Sequence, residues 1–212
     1  GWFVPHDVPG MVEIMGGRDK VLADLESFFE NTPREFYWNP YYNHANEPVH
    51  HVPFLFNRLG APWLTQYWTR VICADAYKNS LAGLCGNEDV GQMSAWYMFN
   101  CAGFYPVAPS SNIYNIGSPC VEALSIRMSN GKEIKMTTEN WSEENVYIKE
   151  LYVNGKKYDK SYLTYEDVQA GITLHFVMSG KPNYKRAVSV DARPASLSSP
   201  GKTMFYQISD SK

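Results

Sequence analysis

The sequence predicts an α+β chain in two parts, helices first and strands second, and three observations carry that expectation. Apolar residues recur at helical spacing through residues 1–108. Asn-Gly turns and alternating strands dominate residues 109–212, and charge and aromatic content change near Pro106-Val107-Ala108-Pro109. Residues 1–108 hold 11 Asp and Glu against 6 Lys and Arg, whereas residues 109–212 hold 11 against 13. The first part also holds five of the six Trp and four of the five His. This asymmetry predicts two domains, 1–108 and 109–212, with different work to do.

Taken in order, the first helix is expected from Lys20 to Phe29, where Val21, Leu22, Leu25, Phe28 and Phe29 fall on one face. Pro48 suits the first turn of a second helix with an apolar stripe of Val52, Leu55, Phe56 and Leu59, stopped at Gly60. A third begins at Pro62 and runs through Leu64, Tyr67, Trp68 and Val71. The last runs from about Gly91 through Met93, Trp96, Tyr97, Cys101 and Phe104 until Pro106 ends it. Helices of similar length with short connections point to a bundle or toroid. In the second part, Ala123–Met128 and Glu133–Thr138 flank Ser129-Asn130-Gly131-Lys132, a hairpin signal because Asn-Gly accepts the positive φ angles of a type I′ turn. A second Asn-Gly, Asn154-Gly155, follows Tyr147–Val153, and Ile172–Met178 alternates apolar and polar residues. Short strands at regular spacing imply an antiparallel β-sandwich region. Beyond Lys185 the chain is polar and Ser-rich and is expected to run over the surface.

Composition sets outer limits. With 212 residues, 44% hydrophobic and 15% aromatic, the chain can bury a sizeable core. A net charge of −3 gives no footing for nucleic acid or an anionic membrane, and no apolar run approaches the roughly 20 residues that span a bilayer. Gly1-Trp2-Phe3-Val4-Pro5 reads as the interior of a domain, so an N-terminal part of the same chain is expected upstream. Cys73, Cys85, Cys101 and Cys120 match no zinc or redox spacing. Buried thiols fit them, with one disulfide left open if the parent is exported.

Three loops can carry chemistry because they set polar groups where helices begin. In Asn46-Glu47-Pro48, one reading is a helix cap with proline in the first turn. The other is a pair of hard oxygen donors suited to calcium. His50 and His51 cannot both aim at one zinc ion, since neighbours on a helix point about 100° apart. In Gly86-Asn87-Glu88-Asp89-Val90-Gly91, the acids either cap the following helix or hold a general base over a cleft. The twelve-residue calcium-loop pattern is not met. Trp2, Trp38, Tyr41, Tyr42, Trp63, Trp96 and Tyr97 crowd near these loops, and Trp38 and Trp2 are the candidates for stacking on a pyranose face.

Four motifs then carry a resemblance. Trp2-Phe3-Val4-Pro5-His6-Asp7 with Met15-Gly16-Gly17, Tyr42–His51, Gly86–Tyr97 and Gly103-Phe104-Tyr105-Pro106-Val107, in that order, resemble glycoside hydrolase family 92 over most of residues 1–180. The resemblance implies an exo-acting, inverting, calcium-dependent α-mannosidase, many members cutting α-1,2 linkages of N-glycans. It implies that this chain supplies the closing helices of an (α/α)6 toroid followed by the β-sandwich region. It makes Asp89 the general base with Asn87 and Glu88 in support, and Asn46 and Glu47 the calcium stretch. Trp38, His50, His51, Trp2, His6 and Asp7 are the expected substrate-binding set. The general acid would be a Glu upstream of Trp2, so this stretch alone is expected to be inactive. Asn87 departs from members that carry a second Asp there. Export, to periplasm, cell surface or medium, follows from the resemblance alone. The competing expectation is a non-catalytic calcium- and carbohydrate-binding module.

Overall fold

The structure is a computed structural model that describes residues 1–108 and 111–199. Pro109, where the sequence starts the second part, and the tail from residue 200 lie outside the described residues. The helical half comprises α1 (Val8–Ile14), α2 (Arg18–Glu30), α3 (Leu55–Arg58), α4 (Pro62–Asp75) and α5 (Gln92–Ala102). Helices α2 and α4 form where periodicity predicts them, and α5 begins where expected, but it ends at Ala102 and not at Pro106, because Gly103 takes a left-handed φ of 85° and Phe104–Pro106 continue as a strand. The first, α1, has no such signal. Its seven residues are too few to show a period, and it is held by Asp7 at the cap and by Val8 and Met11 turned inward.

The helix expected from Pro48 is corrected. Two 3₁₀ turns, Glu47–Val49 and Val52–Phe54, lead into the single-turn α3. Pro53 has no N–H to donate and its ring crowds the preceding turn, so no continuous helix survives. Burial still selects this segment, because Val52, Phe54, Leu55 and Phe56 are all enclosed. Around them Phe29, Tyr42 and Trp68 complete an aromatic core, with Phe29 stacked on Trp68 at 5.1 Å.

The second half contains β1 (Phe104–Pro106), β2 (Ile113–Ile116), β3 (Ala123–Arg127), β4 (Glu133–Glu139), β5 (Tyr147–Val153), β6 (Lys156–Lys157), β7 (Tyr162–Thr164), α6 (Tyr165–Gln169) and β8 (Ile172–Ser179). Strands β1-β2-β7 make one sheet and β3-β4-β8-β5-β6 the other. All pairings are antiparallel except β4 with β8, so the larger sheet is mixed. The intervening chain from β5 to α6 supplies the crossover that a parallel pair requires. Phe104, Ile116 and Leu163 of the small sheet share one apolar cluster with Met136, Ile148, Leu174 and Phe176 of the large one.

The two Asn-Gly turns differ. Asn154 and Gly155 both adopt positive φ, 50° and 75°, as a two-residue type I′ turn needs. In the β3–β4 turn only Gly131 does, at 79°, so the expected I′ turn is replaced by a longer loop in which Gly131 N–H donates to Met128 O at 3.0 Å. The segment past Lys185 is likewise less superficial than expected. Ala187, Ala192, Ala195 and Ser196 are buried. Ser196 Oγ donates to His6 O and accepts from Val8 N–H, both at 3.2 Å, which ties the segment to α1. All four cysteines are free thiols.

Polar side chains fasten the halves together. Asn57 donates to Ile116 O at 2.8 Å, Arg70 to Pro119 O and Ser142 O at 2.8 Å each, and Gln66 accepts from Ile148 N–H at 2.9 Å. These bonds offset much of the cost of burying polar side chains, although Asn57 Oδ1 is enclosed without a partner.

Candidate active site

Two of the loops singled out by sequence meet at one place. Asn46 precedes the first 3₁₀ turn in extended geometry, φ −121° and ψ 108°, and its side chain makes no cap hydrogen bond. The capping alternative for Asn46 therefore goes unused. Across from it, Glu88 takes the capping role for α5, accepting from Ser94 N–H at 3.0 Å and from Ser94 Oγ at 2.7 Å.

With Glu88 committed to the helix, the backbone turns sharply through Asp89, Val90 and Gly91 at φ 47°, 59° and 88°. Gly91 adopts this region at little cost, but a β-branched Val90 does not, and each strained non-glycine residue costs about 1–3 kcal/mol. Val90 gains nothing by packing, since its side chain is fully exposed. The consequence of the turn is that Asp89 faces Glu47.

Burial raises the Glu47 carboxyl above its usual range, its own backbone N–H opposes this, and Asp89, in hydrogen-bonding reach and of like charge, adds to the rise. Two carboxylates so close favour either a shared proton or a cation between them. Glu47 Oε1 and, nearby in sequence, Asn43 Oδ1 are enclosed with no hydrogen-bond partner. Hard oxygen donors left without protons to accept are what a calcium ion coordinates. Among the described residues, no three His, Cys, Asp or Glu side chains converge on one point. A cation here would thus complete its shell with amide, backbone, water or sugar oxygens.

Beneath this surface runs a hydrogen-bonded aromatic layer. Tyr77 Oη donates to Met93 O at 3.0 Å, so it accepts from His44 Nε2 at 2.8 Å, which leaves His44 Nδ1 to accept from Tyr42 Oη at 2.8 Å. His50 Nε2 faces His44 O at 3.0 Å and must donate, so Nδ1 accepts from Gln92 Nε2 at 3.2 Å. The same Gln92 nitrogen donates to Tyr105 Oη at 3.0 Å, and Trp96 Nε1 donates to His50 O at 3.0 Å. The imidazoles of His44 and His50 stack at 4.5 Å. Burial pushes His44 well below its ordinary value, and His50 down to about 4. Both rings are therefore neutral at pH 7, each with one fixed tautomer.

The remaining expected residues are spread around this centre. His50 and His51 lie below the surface, His51 with Nε2 on Trp2 O at 2.9 Å, so they brace the loop and do not face solvent. Trp2 is half-buried with its ring 5.9 Å from Phe28. Asp7 caps α1 and accepts from Ser198 Oγ at 2.6 Å, which commits it to the C-terminal segment. His6 and Asn87 are exposed. Trp38 is 71% exposed beside the exposed Tyr37 and Tyr41. Gln92, Tyr77 and Tyr105 are not among the site residues that the sequence singles out. Gln92 stands inside a quoted motif, whereas nothing in the sequence distinguishes Tyr77.

The profile described as the glycosyl hydrolase family 92 catalytic domain matches residues 1–180. A solved family GH92 α-mannosidase from Bacteroides thetaiotaomicron is 58% identical, with a TM-score of 0.88 over 97% of this chain and 27% of that one. Its complex with mannoimidazole gives 55% identity and a TM-score of 0.87, over 97% and 28%. A family GH92 inverting mannosidase from B. thetaiotaomicron VPI-5482 is 34% identical, TM-score 0.82, over 92% and 29%. A protein of Arthroderma benhamiae called an uncharacterized secreted glycosidase is 30% identical over 199 residues, which is 92% of this chain and 24% of that protein. The chain thus spans about a quarter of the length of these relatives.

Proposed function

The chain belongs to glycosyl hydrolase family 92, and from that premise we propose that it forms the base and cation side of an inverting, calcium-dependent exo-α-mannosidase. The carrying observation is the meeting of Glu47 and Asp89, with Glu47 Oε1 enclosed and without a hydrogen-bond partner. Glu47 and Asn46 would hold the calcium ion, whose chemistry is to polarise and orient hydroxyl oxygens of a terminal mannose. Asp89, exposed on its strained turn, would hold the attacking water and take its proton. Asn87 and Glu88 support it, Glu88 by fixing the start of α5. An inverting reaction needs a general acid about 6.5–9.5 Å from the base. We place that acid in the part of the protein upstream of Trp2, so the stretch described here would bind but not cleave.

Trp38 presents an apolar face to solvent where a pyranose ring could stack, and the buried His50 and His51 with the half-buried Trp2 would act as supports and not as ligands. α-1,2-linked mannose of N-glycans is the proposed substrate, and export the proposed location, which the name of the A. benhamiae relative supports. The closing helices of a toroid and a sandwich-like β region, divided near residue 108, is the architecture this reading assigns. The test is Asp89→Asn in the full-length enzyme. Hydrolysis of an α-mannoside should fall at least a hundredfold with KM little changed. Undiminished kcat would remove Asp89 from the chemistry.

A further inference from the structure

Away from the carboxylate pair, three guanidinium groups converge. Arg18, Arg58 and Arg193 line a cavity of about 440 Å³ between α1 and the returning C-terminal segment. Arg58 is 7% exposed, its Nη1 donating to the carbonyl oxygens of Pro194, at 3.4 Å, and Ala195, while its buried Nε has no partner. Arg193 gives Nε and Nη2 to Val188 O at 3.1 and 2.9 Å, and Arg18 gives Nε to Leu59 O at 2.7 Å. Every one of these acceptors is a neutral carbonyl.

Charge compensation is incomplete. Among the described residues no ion pair involves Arg58 or Arg193, and the partner of Arg18, Asp19, is exposed on the outside. Burial lowers Arg58 to about 10 against the opposing charge of Asp7, and burial and Arg18 lower Arg193. Asp191 also lines the cavity and has interactions of its own, and Asp7 reaches the wall through Ser198, so two carboxylates stand against three cations. Burying cations without counter-ions is costly, and planar guanidinium forks match carboxylate and phosphate oxygens. Ser198, whose hydroxyl donates to Asp7, and Ser199 stand on the same wall, and Val12 and Leu59 give it an apolar side.

We propose that this cavity binds a small organic anion, a carboxylate or a phosphate monoester, its head on Arg18, Arg58 and Arg193 and its body against Val12 and Leu59. The site is separate from the carboxylate pair and does not depend on the mannosidase reading. The test is isothermal titration of the chain with inorganic phosphate and, separately, citrate at constant ionic strength, with chloride and mannose as controls. Saturable binding of either anion, absent with both controls, is expected, and the arm that binds identifies the head group. Arg193→Gln and Arg18→Gln, whose groups are less buried than Arg58, should each weaken it tenfold or more. The surface control Lys156→Gln should leave it unchanged. No saturable binding of either anion, equal affinity in both arginine variants, or equal weakening in the Lys156→Gln control would each overturn the proposal.

Discussion

Acid should loosen this protein through His50, and the size of the effect follows from its surroundings. In the unfolded chain the imidazole titrates at its ordinary value of 6.5, whereas burial in the folded chain lowers it to about 4. The unfolded state therefore binds more protons across that window, so stability is full above pH 6.5 and is lost as pH falls toward 4. Between those two values each step of one in pH costs about 1.36 kcal/mol, so moving from pH 7 to pH 5 costs about 2 kcal/mol from His50 alone. The raised Glu47 carboxyl acts in the opposite direction, because it takes a proton more readily when folded. His50→Gln separates the two. Urea unfolding at pH 7 and pH 5, for wild type and variant, should show a pH penalty about 2 kcal/mol larger in wild type, a midpoint difference of roughly 1 M for a slope near 2 kcal/mol/M. Equal pH dependence in both proteins, or an NMR titration of His50 centred at 6 or above, would refute the reasoning.

Other perturbations probe the layer and the strained turn. Gln92→Leu leaves His50 Nδ1 and Tyr105 Oη without the partner they share, and a buried group so orphaned costs about 1–3 kcal/mol, so the unfolding free energy from denaturant titration should fall by that much. Val90→Gly releases a left-handed β-branched residue that packs against nothing, and unfolding free energy should rise by about 1 kcal/mol. In the full-length enzyme the same change should lower kcat, because Asp89 loses its fixed direction.

Much of the helical half is legible in the sequence because α4 and α5 carry their own punctuation. Pro62 opens α4 and Gly91 opens α5 at a positive φ of 88°, whereas Gly103, at 85°, ends α5 ahead of the Pro106 stop that the sequence suggests. Strand β8 is equally plain, its Ile172, Leu174 and Phe176 alternating inward. The small β1-β2-β7 sheet is not, since strands of three or four residues show no period and gain their order only by pairing. The parallel contact of β4 with β8 is likewise set by the long connection between them. At the site, both loops are visible as motifs, yet sequence cannot choose between adjacent acids. Glu88 caps and Asp89 faces Glu47 because of three successive backbone angles and a contact between residues far apart in the chain.

The most direct measurement is calcium titration by calorimetry, comparing wild type with Glu47→Gln while monitoring stability without metal. The account predicts saturable calcium binding to wild type, at least tenfold weaker binding to the variant, and a variant more stable than wild type in chelator because the carboxylate pair is relieved. Equal calcium affinity in the two proteins, or a variant less stable than wild type in chelator, would contradict it.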